Sequence, residues 1–201
     1  MTTTYDADDA AFRAKPLVRF LYLNVPVWAA AAVLTFTLDT SAGYARGDDF
    51  DRQVTMIGTC FALYVVTGVL WVRWFKAVAY RTQVAGRARF RDAWWFWAWV
   101  IPGASLVLPK MMVNDAWRAP DPTHGPEPLP AAVQWWWALW VATGVANFVG
   151  NRLDVDVSPG LGKALAAAYF VATAVEAVLA VRVVRFLTAR DRLLGTSPAS
   201  V

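Results

Sequence analysis

Cysteine and histidine are almost absent from this chain. One of each, Cys60 and His124, occurs in 201 residues. A single thiol excludes an intramolecular disulfide, and two such residues far apart in sequence exclude the paired ligand spacings of a zinc site. Charge is also scarce: the four charged residue types make up 17% of the chain, against about a quarter in soluble domains. There is no glycine-rich phosphate loop, no nucleophile–base set and no nucleic-acid motif. The candidate acid–base groups, Asp115, His124 and Glu176, are scattered, so an intramembrane enzyme is the weakest reading. No catalytic residue, cofactor, metal or nucleic-acid partner is expected. The net charge of +4 is read instead as cation collected on one face of a membrane.

What the chain has in excess is apolar length. The hydrophobic fraction is 58%, and 12 residues are tryptophan, which favours membrane–water boundaries because its ring is apolar and its N–H seeks a partner. Residues 20–38, 54–72, 131–150 and 164–181 each form an apolar run of roughly 20 residues, the length that crosses a hydrocarbon core. A fifth run, 94–113, is broken by Pro102-Gly103 and again by Pro109. The class expected is all-α: a polytopic membrane bundle, with a polar N-terminus (1–16), one membrane domain (17–184) and a tail (185–201). The first run is too long for a cleaved signal core and is read as a retained anchor.

Charge sets the expected orientation. Arg13, Lys15 and Arg19 precede the first run. Arg73, Lys76, Arg81, Arg87, Arg89 and Arg91 follow the second, against Asp92 alone. Arg182, Arg185, Arg190 and Arg192 follow the last, against Asp191. The loop after the first run is acidic, with Asp39, Asp48, Asp49 and Asp51. Lys and Arg mark the cytoplasmic side, which places both termini and the 73–92 segment inside. Three apolar runs then separate two inside segments. The chain must cross an even number of times, so one run does not cross. Proline removes a helical hydrogen bond and clashes with the preceding turn, which singles out 94–113. The expectation is four transmembrane helices plus one proline-broken re-entrant or interfacial segment; the alternative is five crossings.

Individual residues carry further expectations. Asn24 is placed to bond a neighbouring helix, with Pro26 bending its own. Gly58, Gly68, Gly144, and an alanine stripe at Ala164, Ala168 and Ala172, offer close helix approach. The helix of the second run is expected to continue over 77–85. Arg73, Lys76, Arg81, Trp94, Trp95, Trp97 and Trp99 are assigned to the lipid interface. The proline-rich 118–130 stretch, with His124, is expected to be extended. Glu176 is the one acid deep in a run, where an ionisable group is costly; Lys110 or Arg73 would be its partner. Cys60 is expected to pack.

The order of these features resembles a family. Tyr80-Arg81 leads into Trp94-Trp95-Phe96-Trp97-Ala98-Trp99-Val100-Ile101-Pro102, a second proline follows at Leu106-Val107-Leu108-Pro109, then Asp115-Ala116-Trp117-Arg118, then Trp135-Trp136-Trp137. Over residues 63–184 this is similar to the DUF4328 family of actinobacterial multi-pass membrane proteins, whose function is undefined; Ser105 departs from the asparagine of its pattern. The resemblance implies a membrane address and no chemistry. The leading functional expectation is a non-enzymatic scaffold or accessory subunit in a bacterial plasma membrane, contacting the lipid bilayer and forming a homo-oligomer or a larger membrane complex. The alternative is a small channel or transporter using Pro102-Gly103 and Glu176, with Asn147, Asn24 and Ser105 along its path. No paired inverted repeats support the alternative.

Overall fold

The computed structural model describes residues 7–37, 48–86, 88–90, 94–101, 103–120, 128–150 and 158–194. All regular structure among them is helical: α1 (Ala7–Thr37), α2 (Asp48–Val84), α3 (Trp94–Val100), a 3-10 turn (Ala104–Leu106), α4 (Leu108–Arg118), α5 (Ala131–Gly150) and α6 (Pro159–Leu194). Pro102, His124 and most of the proline-rich loop lie outside the described residues.

Helix ends follow local chemistry. Asp8 and Asp9 occupy the first turn of α1, and Asp48, Asp49 and Asp51 that of α2, where carboxylates complement the helix dipole. Helix α2 stops at Gly86, whose φ of 67° is the left-handed conformation that ends helices. It runs through the expected 77–85 extension. Pro26 sits within α1 without ending it.

Three helices, α1, α2 and α6, are long and apolar enough to cross a membrane. The sequence reading expects four. Helix α5 has the length, 20 residues, but is not one of these three. At 37 and 36 residues, α2 and α6 extend about 55 Å each, well beyond the roughly 30 Å of a hydrocarbon core.

Helix α6 is the hub. It packs along α1 over the greatest length, and also meets α5, α4 and α2. The α1 face is Ala10, Ala14, Leu17, Leu21, Asn24, Trp28 and Ala31; the alanines that α6 buries are Ala167, Ala174, Ala177 and Ala180. Small residues let the backbones approach. This corrects the expected stripe: Ala164 and Ala168 are exposed and Ala172 half-buried.

The main core lies at one end of the bundle. There the start of α1, the end of α2, α3, α4, the start of α5 and the end of α6 bury Leu17, Trp74, Phe75, Val78, Ala98, Val113, Val133, Val183, Val184 and Leu187. A smaller cluster toward the other end joins Trp28, Ala31, Cys60 and Ala174. Trp71 of α2 stacks on Trp136 of α5, with ring centroids 5.2 Å apart. The chain therefore leaves α2 and enters α5 at the same end, the one rich in arginine.

Between those two points it makes a helical hairpin. Gly103, with φ 80°, turns the chain after α3; Ser105 N–H donates to the Ile101 carbonyl at 2.9 Å. Pro109 then opens α4 rather than breaking a helix, a position where its missing N–H is not needed, and its ring is buried. The two ends of the hairpin come together, because Arg89 pairs with Asp115 at 3.0 Å and Phe90 packs on Trp94.

Candidate functional site

The polar residues midway along the long helices fall into separate hydrogen-bonded sets. The first is closed. Asn24 Nδ2 donates to the Phe20 carbonyl at 2.7 Å and to Thr67 Oγ1 at 2.9 Å, and its Oδ1 accepts from Trp28 Nε1 at 3.0 Å. Both amide protons and the carbonyl are used, so Asn24 fastens α1 to α2.

The second set is open. Glu176 accepts from Thr143 of α5 at 3.2 Å, and this replaces the expected Lys110 or Arg73. The same hydroxyl also lies 2.9 Å from the Leu139 carbonyl and 3.2 Å from that of Trp140. One hydroxyl proton cannot serve three acceptors at once, so the carboxyl is incompletely satisfied by the chain itself. The Tyr64 phenol of α2 lies in the neighbourhood of Glu176 and Tyr169. Asn147 donates to the Tyr169 hydroxyl at 3.4 Å.

Helix α5 packs along α6 and helix α2 along α1, with little contact between α2 and α5, so beyond their Trp71–Trp136 contact these two helices leave a lateral cleft that these residues border. The aromatic end is closed by Trp99 of the hairpin, 5.6 Å from Trp71 and 6.2 Å from Trp140. Apolar side chains on both helices are exposed, among them Phe61, Tyr64, Val65 and Val145, and a Cβ added at Gly58, Gly68 or Gly144 meets nothing within 4 Å. The most apolar part of α2 is 11% buried, against 33% for α1 and 28% for α6, which makes α2 the least covered long helix.

The arginine-rich end is more ordered than its composition predicts. Arg81, assigned to lipid by sequence, is buried and pairs with the buried Asp191 of α6. Beside it Trp74 Nε1 donates to Thr188 Oγ1 at 3.1 Å. Arg73 is exposed, with Arg13 donating to its carbonyl at 3.4 Å, and Lys76 Nζ lies 4.9 Å from the Trp95 ring centre. The tryptophan run splits: Trp94 and Trp97 are exposed, while Trp95 and Trp99 pack against the core. Gly103 and Ser105 belong to the hairpin turn and join none of the polar sets above. A small cavity lined by Thr82, Gln83, Phe90 and Asp115 sits at this end, with room for about one water.

Thr143, Tyr64, Tyr169, Thr188 and Asp191 are the residues that sequence reasoning passes over. Asp191 carried a signal, since it lies four and seven residues beyond the buried Leu187 and Val184 and so shares their face.

The architecture defines an all-helical protein with membrane-spanning dimensions. Residues 37–189 match the family described as a domain of unknown function, DUF4328, and the chain belongs to that family. The match is wider than the Trp/Pro pattern that first suggests it. No curated protein and no solved structure matches the chain.

Proposed function

We propose that this protein is a non-enzymatic, four-crossing membrane subunit whose α2–α5 cleft receives a transmembrane helix, from a second copy or from another subunit of a membrane complex. Helix α5 supplies the fourth crossing: its 20 residues rise about 30 Å, and it runs antiparallel to α6 from Trp136 to Asn147. The α3–α4 hairpin enters from the arginine-rich, cytoplasmic side and returns to it, so both termini are cytoplasmic. Backbone that leaves helical geometry at membrane depth needs protein cover, which Trp71, Phe75 and Trp136 give to the α3 arm.

The observation that carries the reading is the open cleft. Lipid tails solvate an exposed valine without help, but a carboxyl sharing one proton, and glycines with open space beside them, are features of helix association. The test is native electrophoresis of gently solubilised membranes, with single cysteines at Phe61 and Val145 in a Cys60→Ser background for crosslinking. A defined complex that Gly58→Leu and Gly144→Leu reduce to the monomer supports the reading. A monomer under all conditions, with no crosslinked polypeptide, contradicts it.

A small channel or transporter is the second reading. It is favoured by the succession of Glu176, Thr143, Tyr64, Tyr169 and Asn147 along the cleft, and ion flux through purified protein in liposomes, abolished by Glu176→Gln, would select it.

A further inference from the structure

The seam between α1 and α6 presents a second surface. Arg19 and Tyr22 lie one turn apart on α1, and Arg182 and Arg185 one turn apart on α6; all four are exposed. The Arg185 guanidinium sits over the Tyr22 ring at 5.7 Å, which brings the two pairs together. No acidic residue occurs in α1 after Asp9, or in α6 between Glu176 and Asp191, and Asp191 is committed to Arg81. Three exposed arginines therefore flank this contact within about one helical turn, and among the described residues of α1 and α6 no carboxylate lies beside them to balance the charge. On α6 the same face continues away from the arginines as Val178 and Val175, at spacings of four and three residues, both exposed. A cationic head adjoining an apolar strip has the shape and polarity of an anionic amphiphile.

We infer that this seam binds an anionic phospholipid, with Arg19, Arg182 and Arg185 holding the phosphate and an acyl chain lying along Val178 and Val175. Arginine suits the role because its planar fork meets phosphate oxygens in pairs. Tyr22 holds Arg185 in place across the seam. The inference rests on the proposed placement of this end at the cytoplasmic headgroup level, but not on what occupies the α2–α5 cleft.

The test is lipid retention by the detergent-purified full chain, offered mixed micelles of phosphatidylglycerol or phosphatidylcholine and read by native mass spectrometry. Wild type retains phosphatidylglycerol selectively, and millimolar inorganic phosphate does not displace it. Each arginine near a membrane surface strengthens anionic-lipid binding roughly fivefold, so Arg19→Gln/Arg182→Gln/Arg185→Gln binds about a hundredfold more weakly. The corresponding triple lysine variant keeps most of the selectivity, and Lys163→Gln, at the far end of α6, changes nothing. If the triple glutamine variant does not fold, Arg19→Gln alone carries the test, with a loss of about fivefold. Equal retention of the two lipids by wild type, or selectivity unchanged in a folded glutamine variant, overturns the inference. Displacement by inorganic phosphate overturns the lipid assignment in favour of a free-anion site. Because retention is read in detergent, a wrong crossing number shows up in topology mapping and leaves this result to stand or fall by itself.

Discussion

The buried Arg81–Asp191 pair shows how strongly the surroundings of a residue decide its role. Both side chains are almost fully enclosed, at 9% and 2% exposure. Removing one member of such a pair strands the other charge, which destabilises by about 3–5 kcal/mol, whereas replacing both with apolar residues of similar volume is close to neutral. Arg81→Ala or Asp191→Ala should therefore lower the unfolding midpoint in detergent sharply, and Arg81→Met/Asp191→Leu should recover most of it. A double variant as weak as the singles would show that the pair does not act as a unit. Asn24 gives a milder case. Hydrogen bonds between membrane helices average about 0.6 kcal/mol and reach about 1.7, so Asn24→Leu should cost about one such bond, the one to Thr67, in the same assay. No measurable loss would mean that the bond to Thr67 adds nothing to holding α1 against α2.

The α3–α4 hairpin is the element on which the topology turns. Its tip depends on the positive φ of Gly103, a conformation that costs a branched residue about 1–3 kcal/mol. Gly103→Val should loosen the hairpin while leaving α1, α2, α5 and α6 intact, seen as faster proteolysis near the tip with helical content unchanged. Unchanged protection would show that the turn is not held there. The break in this segment was legible in the sequence because prolines constrain backbone locally. The rotation of each helix was not. Lipid-facing and core-facing positions are both apolar in a membrane helix, so the pattern carries little of the amphipathic signal that orients soluble helices. That is why the buried alanines of α6 are Ala167, Ala174, Ala177 and Ala180 and not the run beginning at Ala164, and why Trp99 turned inward although Trp97 did not. Polar partners were hidden for a related reason: Thr143 and Glu176 lie 33 residues apart, on different helices, and no local spacing announces that pair.

For the whole molecule, the contrast between its ends organises everything else. The arginine-rich end holds the main core, the hairpin and the ion pairs of Arg81 and Arg89, while toward the other end α2 and α5 separate and expose apolar faces. A bundle closed at one end and open along one flank suits a subunit that keeps its own fold while accepting a neighbouring helix. The central claim is that the chain comes back to its starting side after the hairpin. Single-cysteine labelling in intact cells tests it most directly, with cysteines at Gly86, Pro128 and Leu194 and a fourth at Ser158, in the Cys60→Ser background. The account predicts that a membrane-impermeant maleimide reaches Ser158 from outside and reaches the other three only after the membrane is opened. Labelling of Gly86 and Pro128 from opposite sides would mean that the Trp/Pro segment crosses the bilayer, and the four-crossing arrangement would be wrong.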